Sequence, residues 1–141
     1  MVKMNGIQHV GIPVTDLARS EEFYGRLGFV NAMAAGFEYK GGQGRVAMMH
    51  RGALMPRGAV VLELYQMPEA ELVEIRARGN GHIDLVAFDV DDIDEAFATL
   101  RGEGFAVVEA VPVKLAFWAR GCRYFNVLGP DGERLEFNQI L

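Results

Sequence analysis

The chain repeats itself, and the repeat restricts it to architectures built from two like modules. His9 opens the run HVGIPVTDLARSEEFYGRLGFV, and His82 opens HIDLVAFDVDDIDEAFATLRGEGFAV. Both read as an apolar strand, an acidic turn, an amphipathic stretch and a closing Gly-Phe, Gly28-Phe29 and Gly104-Phe105. Each half ends in a similar strand, VLELYQ at 61–66 and RLEFNQ at 134–139. Glu63 thereby matches Glu136, and Gln66 matches Gln139. The same interval separates His9 from Glu63 and His82 from Glu136. The second half carries three more residues before its Gly-Phe and three fewer after it.

Periodicity predicts β-α-β-β-β in each half. Residues 7–14 read as a Val/Ile-rich strand, and Asp16 as the N-cap of a helix bearing Leu17, Tyr24 and Leu27, with Phe23 at the margin and Gly28 as the stop. Strands are expected near 37–40 and 45–50, joined by the GGQG turn at 41–44, and again at 59–66. In the second half, 82–90 reads as a strand. Asp92 with Glu95 resembles a capping box, and Ile93, Ala96, Phe97 and Leu100 form a helical stripe. Strands near 106–111, 121–128 and 133–140 follow, the last two joined by Gly129-Pro130-Asp131-Gly132. The expected fold class is α+β: two paired βαβββ modules in one chain. It is a single domain over 1–141, with module 5–67, module 79–141 and linker 68–78.

Composition limits the function classes. The chain has 141 residues, half of them hydrophobic and 23% charged, which excludes intrinsic disorder. A net charge of −5 gives no basic face for a phosphate backbone, so no nucleic-acid partner is expected. No apolar run reaches the ~18–20 residues of a membrane span, and residues 1–10 lack the apolar core of a secretion signal. The one cysteine, Cys122, excludes a disulfide within the chain and reads as a buried thiol. A cytoplasmic location, a small-molecule substrate and no membrane are the expectation.

Strand parity picks out four side chains. Neighbours on a strand face opposite sides. Glu63 lies between Leu62 and Leu64, Glu136 between Leu135 and Phe137, and each His precedes an alternating apolar run. With the apolar residues under the helices, His9, Glu63, His82 and Glu136 share the other face. A histidine in a strand is commonly a half-buried, satisfied side chain, and a Glu between two Leu is commonly the solvent face of an amphipathic strand. Two symmetric His/Glu pairs also suit a divalent cation. Two facing carboxylates repel, whereas two neutral imidazoles and two carboxylates around a 2+ ion sum to zero charge. The N/O donors fit Zn, Ni, Co, Fe or Mn.

The repeated modules, the motif GHIDLVAFDV and the closing LGPDGERLEF resemble the vicinal oxygen chelate superfamily over about residues 5–140. That superfamily includes glyoxalase I, methylmalonyl-CoA epimerase, fosfomycin and bleomycin resistance proteins and extradiol dioxygenases. The His/Glu/His/Glu set looks most like glyoxalase I (lactoylglutathione lyase). The resemblance implies His9, Glu63, His82 and Glu136 as metal ligands, and Glu136 or Glu63 as the base that moves a proton alpha to a carbonyl. It also implies that the modules form a curled mixed sheet around a cleft, and that the chain is a homodimer. The expected function is a metal-dependent lyase or isomerase of glyoxalase I type. The alternatives are a ligand-binding resistance-type protein, an acyl-CoA epimerase or a dioxygenase relative. The Arg and Asn with which bacterial glyoxalase I holds glutathione fall at Pro13 and Met67, so the resemblance stops short of the glutathione contacts.

The stretch 112–124, PVKLAFWARGCRY, reads as a lid, with Trp118, Arg120 and Arg123 as candidate substrate-binding residues through anion recognition by arginine.

Overall fold

The computed structural model describes residues 1–26, 28–52, 59–78, 83–128 and 134–141. They form two compact units, His9–Asp84 and Met1–Gln8 with Leu85–Leu141. These units do not break where the sequence modules do. Strand β1 (Met4–Pro13) runs through the boundary, so its first residues belong with the second half of the chain.

In the unit His9–Asp84, β1 is followed by α1 (Leu17–Arg26), β2 (Val30–Tyr39), β3 (Gly42–Arg51) and β4 (Val60–Gln66). β1 pairs parallel with β4, and β4–β3 and β3–β2 are antiparallel. Ile12, Ala47, Met49, Leu62 and Leu64 project to one face and pack with Val14, Leu17, Tyr24 and Phe29 under α1. A 3-10 turn (Glu69–Glu71) and α2 (Leu72–Ala77) complete the unit.

In the other unit, β5 (Leu85–Val90) leads to α3 (Ile93–Gly102), then β6 (Ala106–Val107), β7 (Val113–Leu115), β8 (Cys122–Leu128) and β9 (Arg134–Ile140). β5 pairs parallel with β9, and β9–β8, β8–β6 and β8–β7 are antiparallel. Phe125, Val127, Phe137 and Val90 pack under Ile93, Ala96 and Leu100 of α3. Both units are thus β-α with a mixed sheet, and the α+β class expected from the repeat is the one observed. The outer strand that is continuous as β2 in one unit is split into β6 and β7 in the other.

Four local expectations change. β2 starts at Val30 rather than near 37, because NAMAAG carries little β-propensity and gains its strand conformation by pairing with β3. The turn after it is the two-residue Lys40-Gly41, both at positive φ (47° and 77°), the geometry a tight hairpin prefers. β5 begins at Leu85, not at 82. The 112–124 stretch is not a loose lid. Its ends pair as β7 and β8, joined by a turn in which Trp118 and Gly121 take positive φ. The expected turn at 129–132 and Leu27 lie outside the described residues.

Candidate functional site

The two helices start in the same way, which fixes the true register of the repeat. Asp16 Oδ1 accepts from the N–H of Arg19 at 3.1 Å, and Asp92 Oδ1 accepts from those of Asp94 and Glu95 at 3.0 Å. Gln66 Oε1 accepts the Leu17 N–H at 2.8 Å, and Gln139 Oε1 accepts the Ile93 N–H at 3.2 Å. Glu63 lies opposite Gly11 on the parallel strand, and Glu136 opposite Ala87. Stepping back two residues from Gly11 reaches His9, and two from Ala87 reaches Leu85. The counterpart of His9 is therefore Leu85. The three extra residues of the second half fall between His82 and β5, which moves His82 three positions upstream of that counterpart. His82 itself lies outside the described residues.

In the unit His9–Asp84, His9 and Glu63 face away from α1, as strand parity predicts. His9 is 2% exposed, and its Nε2 stands 3.5 Å from Glu63 Oε2. Met48 lies opposite Glu63 on β3, and Val46 opposite Tyr65. Both are buried, so the imidazole and carboxylate have apolar side chains beside them on that face. Farther along, the Tyr65 hydroxyl donates to Asp84 Oδ2, and Arg78 Nη1 donates to Asp84 Oδ1 at 2.8 Å. Arg78 also bonds Glu74, which with Asp84 holds the guanidinium pKa above its ordinary value.

In the other unit, Glu136 is buried on β9 with Leu135 and Phe137 turned to α3. Asn138 Nδ2 donates to Glu136 Oε1 at 2.7 Å, and Gln8 Nε2 donates to Asn138 Oδ1 at 2.9 Å. Gln8 thus fixes which end of the Asn138 amide meets Glu136, and Asn138 orients the carboxylate. Asn126 lies opposite Glu136 on β8 and is also buried. Sequence reasoning passed over Asn126 and Asn138. Asn138, two positions after Glu136 and so on its face, was within reach of strand parity, whereas the place of Asn126 opposite Glu136 comes from strand pairing alone.

The arginines of the 112–124 stretch have protein partners. Arg123 is clamped bidentately by Asp94 at 2.6 and 2.7 Å, and Arg120 Nε donates to the Leu141 carbonyl at 2.9 Å. An arginine engaged in this way ties structure together rather than standing ready for a substrate anion. Trp118 is partly buried in the β7–β8 turn. Cys122 is buried. Among the described residues, no group of three or more His, Cys, Asp or Glu side chains is gathered to hold a metal ion. No helix among them is long and apolar enough to cross a membrane.

The chain belongs to the Glyoxalase/Bleomycin resistance protein/Dioxygenase superfamily, whose family model matches residues 6–137. No curated protein matches it. Among solved structures it is similar to a variant of Streptomyces coelicolor methylmalonyl-CoA epimerase in complex with 2-nitronate-propionyl-CoA. The two share 23% identity over 97% of this chain and 98% of that one, with a TM-score of 0.75. The Mycobacterium tuberculosis methylmalonyl-CoA epimerase is 24% identical over 100% of this chain and 91% of its own, with a TM-score of 0.74. A hypothetical protein from Bacillus halodurans C-125 is 24% identical over 99% and 96%, with a TM-score of 0.71. These likenesses show the shared fold.

Proposed function

We propose that the chain is a metal-dependent enzyme that moves a proton on the carbon beside a carbonyl, with an acyl-CoA thioester as substrate. The observation that carries this reading is the pair of buried His9 and half-buried Glu63. A separation of 3.5 Å is long for a hydrogen bond, but near the spacing of two adjacent ligands at about 2.1 Å from one cation. A neutral imidazole and a carboxylate on a water-poor face are a fitting donor set for a divalent ion. Glu136 enters this reading through the family resemblance. Leu85 holds the register position of His9 in the second half of the chain, so the reading does not draw on His82.

A divalent cation bound by these residues would supply Lewis-acid polarisation of the substrate carbonyl. The chain supplies the rest. Glu136, oriented by Asn138, takes the alpha proton as general base, and Glu63 is the second carboxylate able to hold one. The apolar face around Glu63 excludes water from the developing charge.

Substrate choice between a glutathione adduct and an acyl-CoA rests on two points. Pro13 and Met67 replace the glutathione-holding Arg and Asn of glyoxalase I, and epimerases of the same fold hold acyl-CoA ligands. The acyl-CoA epimerase alternative is therefore preferred to glyoxalase I. A second reading, a ligand-binding protein without metal chemistry, is favoured by Leu85 at the His9 counterpart. The test is solvent deuterium exchange by metal-loaded protein. Incorporation into methylmalonyl-CoA, and none into the glutathione–methylglyoxal adduct, is expected. Exchange into neither substrate overturns the enzyme reading and leaves the ligand-binding one.

A further inference from the structure

We infer that Asn126 is a cation donor of the second unit, its side-chain oxygen standing beside Glu136 as His9 stands beside Glu63. The inference deepens the metal reading above and rests on it.

The register poses the question. The first unit presents two donors, His9 on β1 and Glu63 on β4, with apolar Met48 opposite Glu63 on β3. In the second unit the corresponding strands are β5, β9 and β8. Leu85 occupies the His9 place and cannot ligate, so by this count the second unit offers only Glu136. The Met48 place, however, is taken by Asn126. The polar and apolar residues have changed strands.

Asn126 is built as a fixed acceptor. Its backbone N–H donates to Glu109 Oε2 at 2.6 Å and its carbonyl accepts from the Val108 N–H at 2.9 Å. Both backbone groups thus point to the outer edge of β8, where β6 and β7 are interrupted. Asn126 therefore faces Glu136 as a non-hydrogen-bonded pair, the arrangement that brings opposing side chains closest, about 4.5 Å between Cα atoms. Its side-chain Nδ2 donates to Glu109 Oε1 at 2.8 Å. Because the amide is planar, pinning the nitrogen to Glu109 at the edge turns the oxygen back from the edge. That oxygen has no hydrogen-bond partner among the described residues, although Asn126 is only 5% exposed. A buried acceptor without a donor is destabilising. A cation relieves that cost, since an amide oxygen is a good ligand for hard divalent ions.

The consequence is that both donors of the second unit, Glu136 and Asn126, are oxygens, where the first unit pairs an oxygen with a nitrogen. Hard ions gain relative to borderline ones, so Mn2+ and Mg2+ bind better against Zn2+ and Ni2+ than the His/Glu/His/Glu set would allow.

The test uses the full chain and Mn2+, followed by loss of the free-ion signal in electron paramagnetic resonance. Asn126→Met, which installs the residue the first unit has there, is expected to weaken Mn2+ binding about tenfold or more with the circular dichroism spectrum unchanged. Equal affinity in a folded variant overturns the inference and leaves the metal reading standing. Wild-type protein that takes up neither Mn2+, Zn2+ nor Ni2+ overturns both. If the variant does not fold, wild-type protein labelled with 13C in asparagine decides. The Asn126 Cγ resonance is expected to shift and saturate with Mg2+. A resonance that stays put at saturating Mg2+ means the oxygen is not a ligand, and the inference falls.

Discussion

Arg123 grips Asp94 with two parallel bonds, Nη1 to Oδ2 at 2.6 Å and Nη2 to Oδ1 at 2.7 Å, and so ties β8 to the first turn of α3. The hydrogen bonds from Arg123 hold the Asp94 carboxyl below its ordinary value of 3.8, and Arg123 is raised in turn. Because the folded-state pKa is depressed, the contribution is complete above the unfolded pKa and is lost as pH falls through the folded value. Asp94 is solvent-exposed, so the effect is modest. The stability difference between wild type and Asp94→Asn is expected to stay level from about pH 8 to 5 and to shrink below about pH 4. Urea unfolding across this range measures it, and a difference that stays level into strong acid would contradict the pairing.

Gln139 and Asp92 secure the start of α3 from two directions. Asp92 takes the N–H groups of Asp94 and Glu95, and Gln139 reaches from β9 to that of Ile93. Asp92→Ala is expected to cost about 1 kcal/mol, the usual price of a lost cap. Gln139→Leu leaves the Ile93 N–H without its partner and is expected to cost about 1–3 kcal/mol. Denaturant unfolding of the two single variants and the double tests whether they act on the same helix end. Additive losses would show that they act separately.

The parts of the fold written as strong periodic signals were legible. Ile93, Ala96 and Leu100 are buried on α3, and Leu62, Leu64, Leu135 and Phe137 turn toward the helices as parity requires. That parity also put His9, Glu63 and Glu136 on the correct faces. The strand over Ala32, Ala34 and Ala35 was not legible, because its conformation comes from the ladder with β3 and not from its own residues. The His9–His82 match was misleading for a different reason. Both histidines open apolar runs, and spacing to the following glutamate hides an insertion that only strand pairing and the two glutamine caps reveal. Asn126 was invisible because its meaning lies in Glu109, distant in sequence and brought to it by the sheet edge.

Asn138 acts through Glu136 and is a positioning residue. It is 4% exposed, donates to Glu136 Oε1 and is itself fixed by Gln8. Asn138→Leu removes this donor from the Glu136 carboxylate. In the deuterium-exchange assay, kcat is expected to fall about tenfold or more while KM changes little, because the loss affects orientation of the base rather than substrate contacts. Gln8→Ala should give the same pattern more weakly, since Asn138 remains but its amide is no longer held in one sense. A rise in KM at constant kcat would place Asn138 in substrate binding instead.

The register equivalence of Leu85 and His9 can be tested by restoring what the repeat lacks. Leu85 starts β5, lies opposite Arg134 and is partly buried. Being on the same face as Ala87, which lies opposite Glu136, it holds the position relative to Glu136 that His9 holds relative to Glu63. Leu85→His therefore recreates in the second unit the His/Glu pair of the first. An added imidazole favours borderline cations over hard ones. The variant is expected to bind Zn2+ at least about tenfold more tightly than wild type while Mn2+ affinity moves much less, as read by competition with a chromogenic chelator. His82→Ala, three residues upstream, is expected to leave both affinities unchanged. If His82→Ala abolishes Zn2+ binding and Leu85→His adds none, the strand register is not what selects the ligands.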